Sequence, residues 1–188
     1  MPDQTPPGLH PRIAELLEHL DETRAALLDA VHHVPRDRRD IRSGDGRWTV
    51  GEVLDHISRV EAGYARLLTK RVSDARAKGI ARETETSSIL GTLDGGPLTD
   101  RSRRLQAPEI VTPRQDATLA EGLAALEASR GVMRAAVIDA NGVALGTLTQ
   151  QHPYFGTLDM YQWGLFLGFH DLRHAEQIRE IARVQSGG

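Results

Sequence analysis

No cysteine occurs among the 188 residues of this chain, which excludes disulfide bonds and thiolate ligands. Any metal site must therefore use His, Asp, Glu or backbone oxygen, and any thiol chemistry needs a sulfur from outside the chain. A large excess of one charge is also missing. The formal net charge of −3 gives no electrostatic basis for binding nucleic acid or an anionic membrane surface. No apolar run approaches the roughly 20 residues that span a bilayer. The opening MPDQTPPGLH lacks both the basic and the apolar region of a signal peptide, so a cytoplasmic location is expected. Lysine is scarce, 2 against 21 arginines, a bias that points to a GC-rich genome and not to a function.

What is present suits one domain with a substantial core: 39% of the residues are hydrophobic and 26% charged, over a length that favours a single unit. Its expected extent is residues 11–184, between a flexible N-terminus, 1–10, and a flexible tail, 185–188. The periodicity predicts four amphipathic helices. The first begins near Pro11 and carries Ile13, Leu16, Leu17, Leu20, Leu27, Leu28, Val31 and Val34; His32 and His33 in its last turn read as surface or cap residues. The second is announced by Thr49 with Glu52, a capping box, and carries Val53, Ile57, Val60, Tyr64 and Leu67 in alternating steps of four and three, with His56 one position off that stripe. The third begins near Thr118 with Glu121 and carries Leu119, Leu123, Leu126, Met133 and Val137, with Gly131 suggesting close packing against a neighbour. The fourth begins after Asp159, paired with Gln162. Between the second and third helices, residues 79–117 show no helical period; a connection of this length reads as a crossover, and its apolar segment LQAPEIV, Leu105 to Val111, can roof a site. The fold class is all-α, a four-helix bundle with a long connection between helices 2 and 3, and no strand pattern competes.

The chemistry concentrates in the last helix. Its apolar stripe runs Trp163, Leu167, His170, His174, Gln177 and Ile181, so two histidines occupy positions where a bundle helix normally places Leu or Ile. Their spacing puts the Cβ atoms roughly 5–6 Å apart, close enough for both imidazoles to reach one cation at about 2.0–2.1 Å. Spacing alone is a weak motif among eight histidines, and position is the stronger argument. A buried imidazole without a partner costs about 2–7 kcal/mol on apolar reference scales, so something must compensate: carbonyls, carboxylates, water or a metal. His152, in a loop before a proline and close to the start of the last helix, reads either as near the site or, the favoured reading, as solvent-facing. Asp55 and Asp171, each next to a candidate ligand in sequence, read as solvated carboxylates in preference to groups that orient an imidazole of a neighbouring helix. The run His170-Asp171-Leu172-Arg173-His174 is similar to the H-E-x-x-H metalloprotease motif with the Glu shortened to Asp, a reading disfavoured by that shorter reach.

Taken together, WTVGEVLDHI in the second helix, the Pro-flanked APEIVTP, the approach HPYFGTL and the final H-x-x-R-H-x-x-Q of His170, Arg173, His174 and Gln177 resemble the DinB/YfiT-like superfamily over nearly the whole chain. The resemblance implies a four-helix bundle in which three histidines, matched here by His56, His170 and His174, bind a divalent metal. Three imidazoles suit Zn²⁺, Ni²⁺, Fe²⁺ or Mn²⁺. Gln177 is placed to support a ligand, and Arg173 to bind an anionic group of a substrate or to form an interhelical salt bridge. The resemblance further implies a small-molecule substrate, a possible homodimer, and a transferase using a low-molecular-weight thiol such as bacillithiol or mycothiol. Two alternatives stand beside it: a hydrolase using water activated by the metal, and a non-catalytic metal-binding or structural bundle.

Overall fold

The computed structural model describes residues 8–186 except 43, 45, 103 and 104. The fraying expected of residues 1–7 and 187–188 lies outside the described residues. In chain order the elements are α1 (Pro11–His32), α2 (Val50–Ala77), α3 (Gly96–Thr99), α4 (Leu119–Asp139), β1 (Thr149–His152), β2 (Gly156–Asp159) and α5 (Met160–Ser186). Single 3-10 turns lie at Arg36–Arg38, Glu109–Val111 and Leu145–Thr147. The four long helices form the expected bundle. Among the described residues no helix is long and apolar enough to cross a membrane.

Three of the helix starts form because a side chain replaces the helical acceptors that the first N–H groups lack. The Glu52 N–H donates to Thr49 Oγ1 at 3.1 Å and the Thr49 N–H to the Glu52 carboxylate at 2.9 Å. Thr118 and Glu121 exchange the same pair of bonds at 3.3 and 2.9 Å, and Asp159 and Gln162 at 2.9 and 3.1 Å.

Helices α2 and α4 run side by side in the same direction. Gly51 and Gly122 meet near their starts, and the Arg76–Asp139 ion pair joins their ends. Helices α1 and α5 are likewise parallel to each other, with Leu16 against Gly164 and Asp29 near Arg179, and α1 opposes α2. The connection 78–118 therefore returns the chain along the bundle. On the way it bonds to α1 through Arg12 and Glu15 (Arg12 Nε to the Ser87 carbonyl, 2.8 Å; the Ile89 N–H to Glu15, 2.7 Å) and to α5 through the bidentate Arg101–Glu180 pair.

The close approach expected at Gly131 is not there. Gly131 is exposed with open space around it, whereas a Cβ on Gly51 would lie 2.2 Å from the Ala117 carbonyl oxygen, and one on Gly122 2.7 Å from that of Gly51. The helix crossing is closest one turn into α4, where both partners lack a side chain. The segment before α5 also departs from expectation: it folds into an antiparallel hairpin with Thr149 opposite Asp159 and His152 opposite Gly156. Two four-residue strands are too short to show alternation in the sequence, and Gly156 takes a left-handed φ of +77° at the turn.

The apolar core is divided in two. One part gathers Leu16, Leu20, Tyr64, Leu68, Met133 and Leu167; the other gathers Leu27, Val53, Leu54, Leu126 and Ile178. Between them lies a polar layer to which every long helix contributes. Arg24 of α1 bonds Glu61 of α2 at 2.7 Å and Asp171 of α5 at 2.9 Å, and Arg130 of α4 reaches the same two carboxylates at 2.8 and 3.0 Å. Ser129 Oγ donates to the other Glu61 oxygen at 2.6 Å, and Arg130 Nη1 to the Leu20 carbonyl at 3.0 Å. Burial raises the Glu61 carboxyl pKa and lowers that of the Arg130 guanidinium. The solvated Asp171 of the sequence reading is thus corrected: it is 1% exposed, because two arginines from other helices close over it.

Removing one member of a buried ion cluster leaves the others uncompensated. Asp171→Ala is expected to lower the unfolding free energy by about 3–5 kcal/mol. Asp21→Ala, which breaks the surface pair with Arg134, should cost about 0–1 kcal/mol. Urea unfolding of the two variants checks the contrast, and similar shifts in both would contradict it.

Candidate metal centre

At the depth of the polar layer, on the flank of α5 away from Asp171, three imidazoles converge. His56 comes from the second turn of α2, and His170 and His174 from successive turns of α5. Each offers one nitrogen, and the three nitrogens lie within 4.8 Å of one another, a cluster of His, Asp, Glu or Cys groups unlike any other among the described residues. His170 Nε2 is 3.2 Å from His56 Nε2 and 3.1 Å from His174 Nε2. Two imidazole nitrogens each about 2.0–2.1 Å from one ion at a tetrahedral angle would stand about 3.3 Å apart, so the spacing fits a shared cation.

Hydrogen bonding on the far side of the rings fixes where the protons are. His56 Nδ1 donates to the Val111 carbonyl oxygen at 2.7 Å, and His174 Nδ1 to Gln177 Oε1 at 2.7 Å. A neutral ring carries one proton, so both rings turn a bare Nε2 lone pair toward His170. The single proton of His170 can satisfy at most one of them. As neutral groups the three rings have more inward lone pairs than protons, a deficit that a divalent cation held there would make good. Burial lowers the pKa of His56, only partly opposed by the Val111 carbonyl; burial and then the neighbouring histidines hold His170 and His174 well below the usual range. The rings are therefore neutral near pH 7, the form a metal requires.

The trio opens onto a cavity of about 800 Å³, within the range of small-molecule sites. Trp48, Phe155, Trp163, Phe166 and Leu105 are among its lining residues, with Arg47, Arg173 and the Arg101–Glu180 pair. The roof anticipated at Leu105 to Val111 borders this cavity. Its anchoring bond, from His56 to a main-chain carbonyl, has no sequence signature, because any residue at position 111 supplies that oxygen.

The remaining candidates fall as follows. Gln177 meets His174 as described. Arg173 is 8% exposed and donates to the main-chain carbonyls of Leu98 and Asp100, bracing α3 against α5. Asp55 accepts from Arg59 at 2.7 Å and from the Arg114 N–H at 2.7 Å, away from the imidazoles. His32 and His33 are exposed at the end of α1. His152 is a correction: it is 6% exposed, folded inward by the hairpin that the sequence did not reveal, and it lines the same cavity.

With this geometry in hand, comparison with known proteins is informative. The sequence profile of the DinB superfamily matches residues 19–178, a span that holds all three histidines. The chain belongs to the DinB superfamily. Over 138 residues this DinB protein is 28% identical to the uncharacterized protein YuaE of Bacillus subtilis (strain 168), covering 71% of the chain and 76% of YuaE. It also resembles the crystal structure of TT2238, a four-helix bundle protein, with a TM-score of 0.59 at 21% identity, covering 89% of this chain and 98% of that one. That second likeness is one of fold alone.

The depressed imidazole pKa values give a pH dependence. A histidine whose folded pKa lies below its unfolded value of about 6.5 leaves the folded state with fewer bound protons in the interval between the two, so stability falls as pH falls through it. The metal-free DinB protein, kept in chelator, is expected to lose thermal stability between about pH 7 and pH 5. His170→Ala removes one such group, so its loss over the same range should be smaller. Melting temperatures of both proteins across that range check the sign; an equal or steeper loss in the variant would contradict it.

Proposed function

We propose that this protein is a divalent-metal-dependent enzyme for a small, largely apolar substrate, with His56, His170 and His174 as the metal ligands and an exogenous low-molecular-weight thiol of the bacillithiol or mycothiol type as the nucleophile. The observation that carries the reading is the convergence of the His56, His170 and His174 nitrogens at the wall of the cavity. A divalent ion held by three neutral imidazoles keeps an open position and a net positive charge, and so favours ionisation of a thiol or water there.

The chain's own residues support the parts it must supply. Val111 and Gln177 hold two of the rings in the tautomer that presents Nε2. The aromatic wall excludes water and receives the apolar substrate, while Arg47 in the lining offers charge to an anionic cosubstrate. The chain contains no cysteine, so a sulfur nucleophile must enter with a second molecule. In the transfer that sulfur loses its proton, bonds to an electrophilic carbon of the substrate, and the electron pair of the broken bond leaves with the departing atom, which takes up a proton.

Protein purified without a His tag or chelator should contain about one equivalent of divalent metal by elemental analysis, and His56→Ala and His170→Ala should lose most of it while retaining their helical circular dichroism. The loaded protein should then consume bacillithiol or mycothiol in the presence of apolar electrophiles at least 100-fold faster than His170→Ala. Absence of metal, with no uptake of added Zn²⁺ or Ni²⁺, would favour a non-catalytic bundle. Metal without thiol consumption, but with ester or amide cleavage, would favour the hydrolase.

A further inference from the structure

The cavity holds a second polar group that the three-histidine centre does not use. His152 ends β1 and is 6% exposed. Its Nδ1 accepts the main-chain N–H groups of Tyr154 at 3.1 Å and Phe155 at 3.3 Å. With that lone pair engaged, the proton of the neutral ring resides on Nε2. Burial holds its pKa down at about 4, so the ring is a neutral donor over the ordinary pH range. Among the described residues nothing accepts from Nε2, and the side chain lines the cavity.

The surroundings make this donor unusual. Phe155, Trp163 and Phe166 pack around the ring with centroids 4.9, 4.7 and 4.5 Å away, and Phe166 in turn lies 5.5 Å from His170. One aromatic ring therefore separates His152 from the metal trio. Three other donors of the lining are committed: Trp163 Nε1 to the Gln150 carbonyl, Tyr154 Oη to that of Gln106, and Tyr64 Oη to that of Met160. His152 keeps an N–H without an acceptor among the described residues, on a side chain that lines the cavity, where a bound molecule can meet it. A neutral N–H in an apolar wall matches a neutral acceptor better than a charged one, since no counter-charge stands beside it.

We propose that His152 Nε2–H is a substrate-positioning donor that binds a carbonyl-type oxygen of an apolar substrate and orients it beside the three-histidine centre. This rests on the reading of the cavity as a substrate site. It assigns His152 no metal and no proton transfer, since its Nδ1 is occupied and its Nε2 already carries hydrogen.

The test compares acetophenone with α-methylstyrene, its near isostere in which C=CH₂ replaces C=O, by calorimetric titration of zinc-loaded and metal-free protein. Relative to wild type, His152→Phe should shift the ketone-to-alkene affinity ratio toward the alkene by roughly 2–10-fold, the range of one net hydrogen bond. His152→Gln, which retains an N–H donor, should recover part of the shift. In the wild type the His152 Nε2–H proton resonance should move on adding the ketone and stay in place on adding the alkene. Zinc content should be unchanged in both variants.

An unchanged ratio with intact zinc binding would overturn the role of His152 and leave the metal-enzyme reading standing. Zinc loss in both variants would overturn it too, making His152 part of the metal centre. Failure of either probe to bind the wild type would remove the substrate cavity from both readings. If the wild type takes up no zinc while the ratio still shifts in the metal-free protein, the metal reading fails and the role of His152 stands.

Discussion

The buried layer of Arg24, Glu61, Arg130 and Asp171 is the constraint on which the arrangement depends. Apolar side chains tolerate sliding of one helix along another, because many registers bury similar areas. Four charged groups from four helices do not: each guanidinium must meet both carboxylates within 3.0 Å. A shift of one turn, about 5.4 Å, would leave charges in the core with no partner. Such clusters are weak sources of net stability, since desolvation offsets most of their attraction, and their best-attested use is to specify register. Here the consequence is direct. Asp171 follows His170 directly and lies three residues before His174, so the register that satisfies Asp171 also decides that those two rings face His56.

The long connection belongs to the same construction. It leaves α2, ties to α1 and α5, and delivers the Val111 carbonyl to His56 Nδ1. A short loop joining α2 directly to an antiparallel neighbour could not place a carbonyl there, because it would never return to the start of α2. The parallel course of α2 and α4, closest at Gly51 and Gly122, is the other result of that return. The length of the segment is thus tied both to the topology of the bundle and to the tautomer of a candidate ligand.

Much of this was legible in the sequence, for reasons that differ by residue. Thr49, Thr118 and Asp159 announce helices because capping is local chemistry within four residues. His170, His174 and Gln177 stand out because a 4–3 stripe names core positions without knowledge of the partner helix. The same stripes carried a signal that the sequence reading did not use. Arg24 sits between Leu20 and Leu27 and Arg130 between Leu126 and Met133 at core spacing, and Glu61 lies beside Val60 between Ile57 and Tyr64, on the inner flank of its stripe. Three charges of both signs at core positions call for compensation, and that requirement places the solvated Asp171 in doubt. The inward turn of His152 had no such signal, since it depends on a hairpin with strands of four residues and on a ring orientation set by main-chain N–H groups.

The two polar groups of the layer differ in how they can be satisfied. The arginine–carboxylate cluster has two charges of each sign and closes on itself. The imidazoles cannot do the same by taking up a proton: a cation so formed would sit in a desolvated site, and the carboxylates next to the trio in sequence are already engaged, Asp55 with Arg59 and Asp171 with two arginines. Burial and mutual repulsion accordingly keep the rings neutral. Neutral rings with inward lone pairs can accept a metal ion without first losing a proton, and coordination bonds would supply the compensation that a single proton cannot. The feature expected to weaken the metal-free protein in acid is therefore the one that would make the site receptive to a metal at neutral pH, and both follow from placing histidine where a bundle would otherwise place leucine.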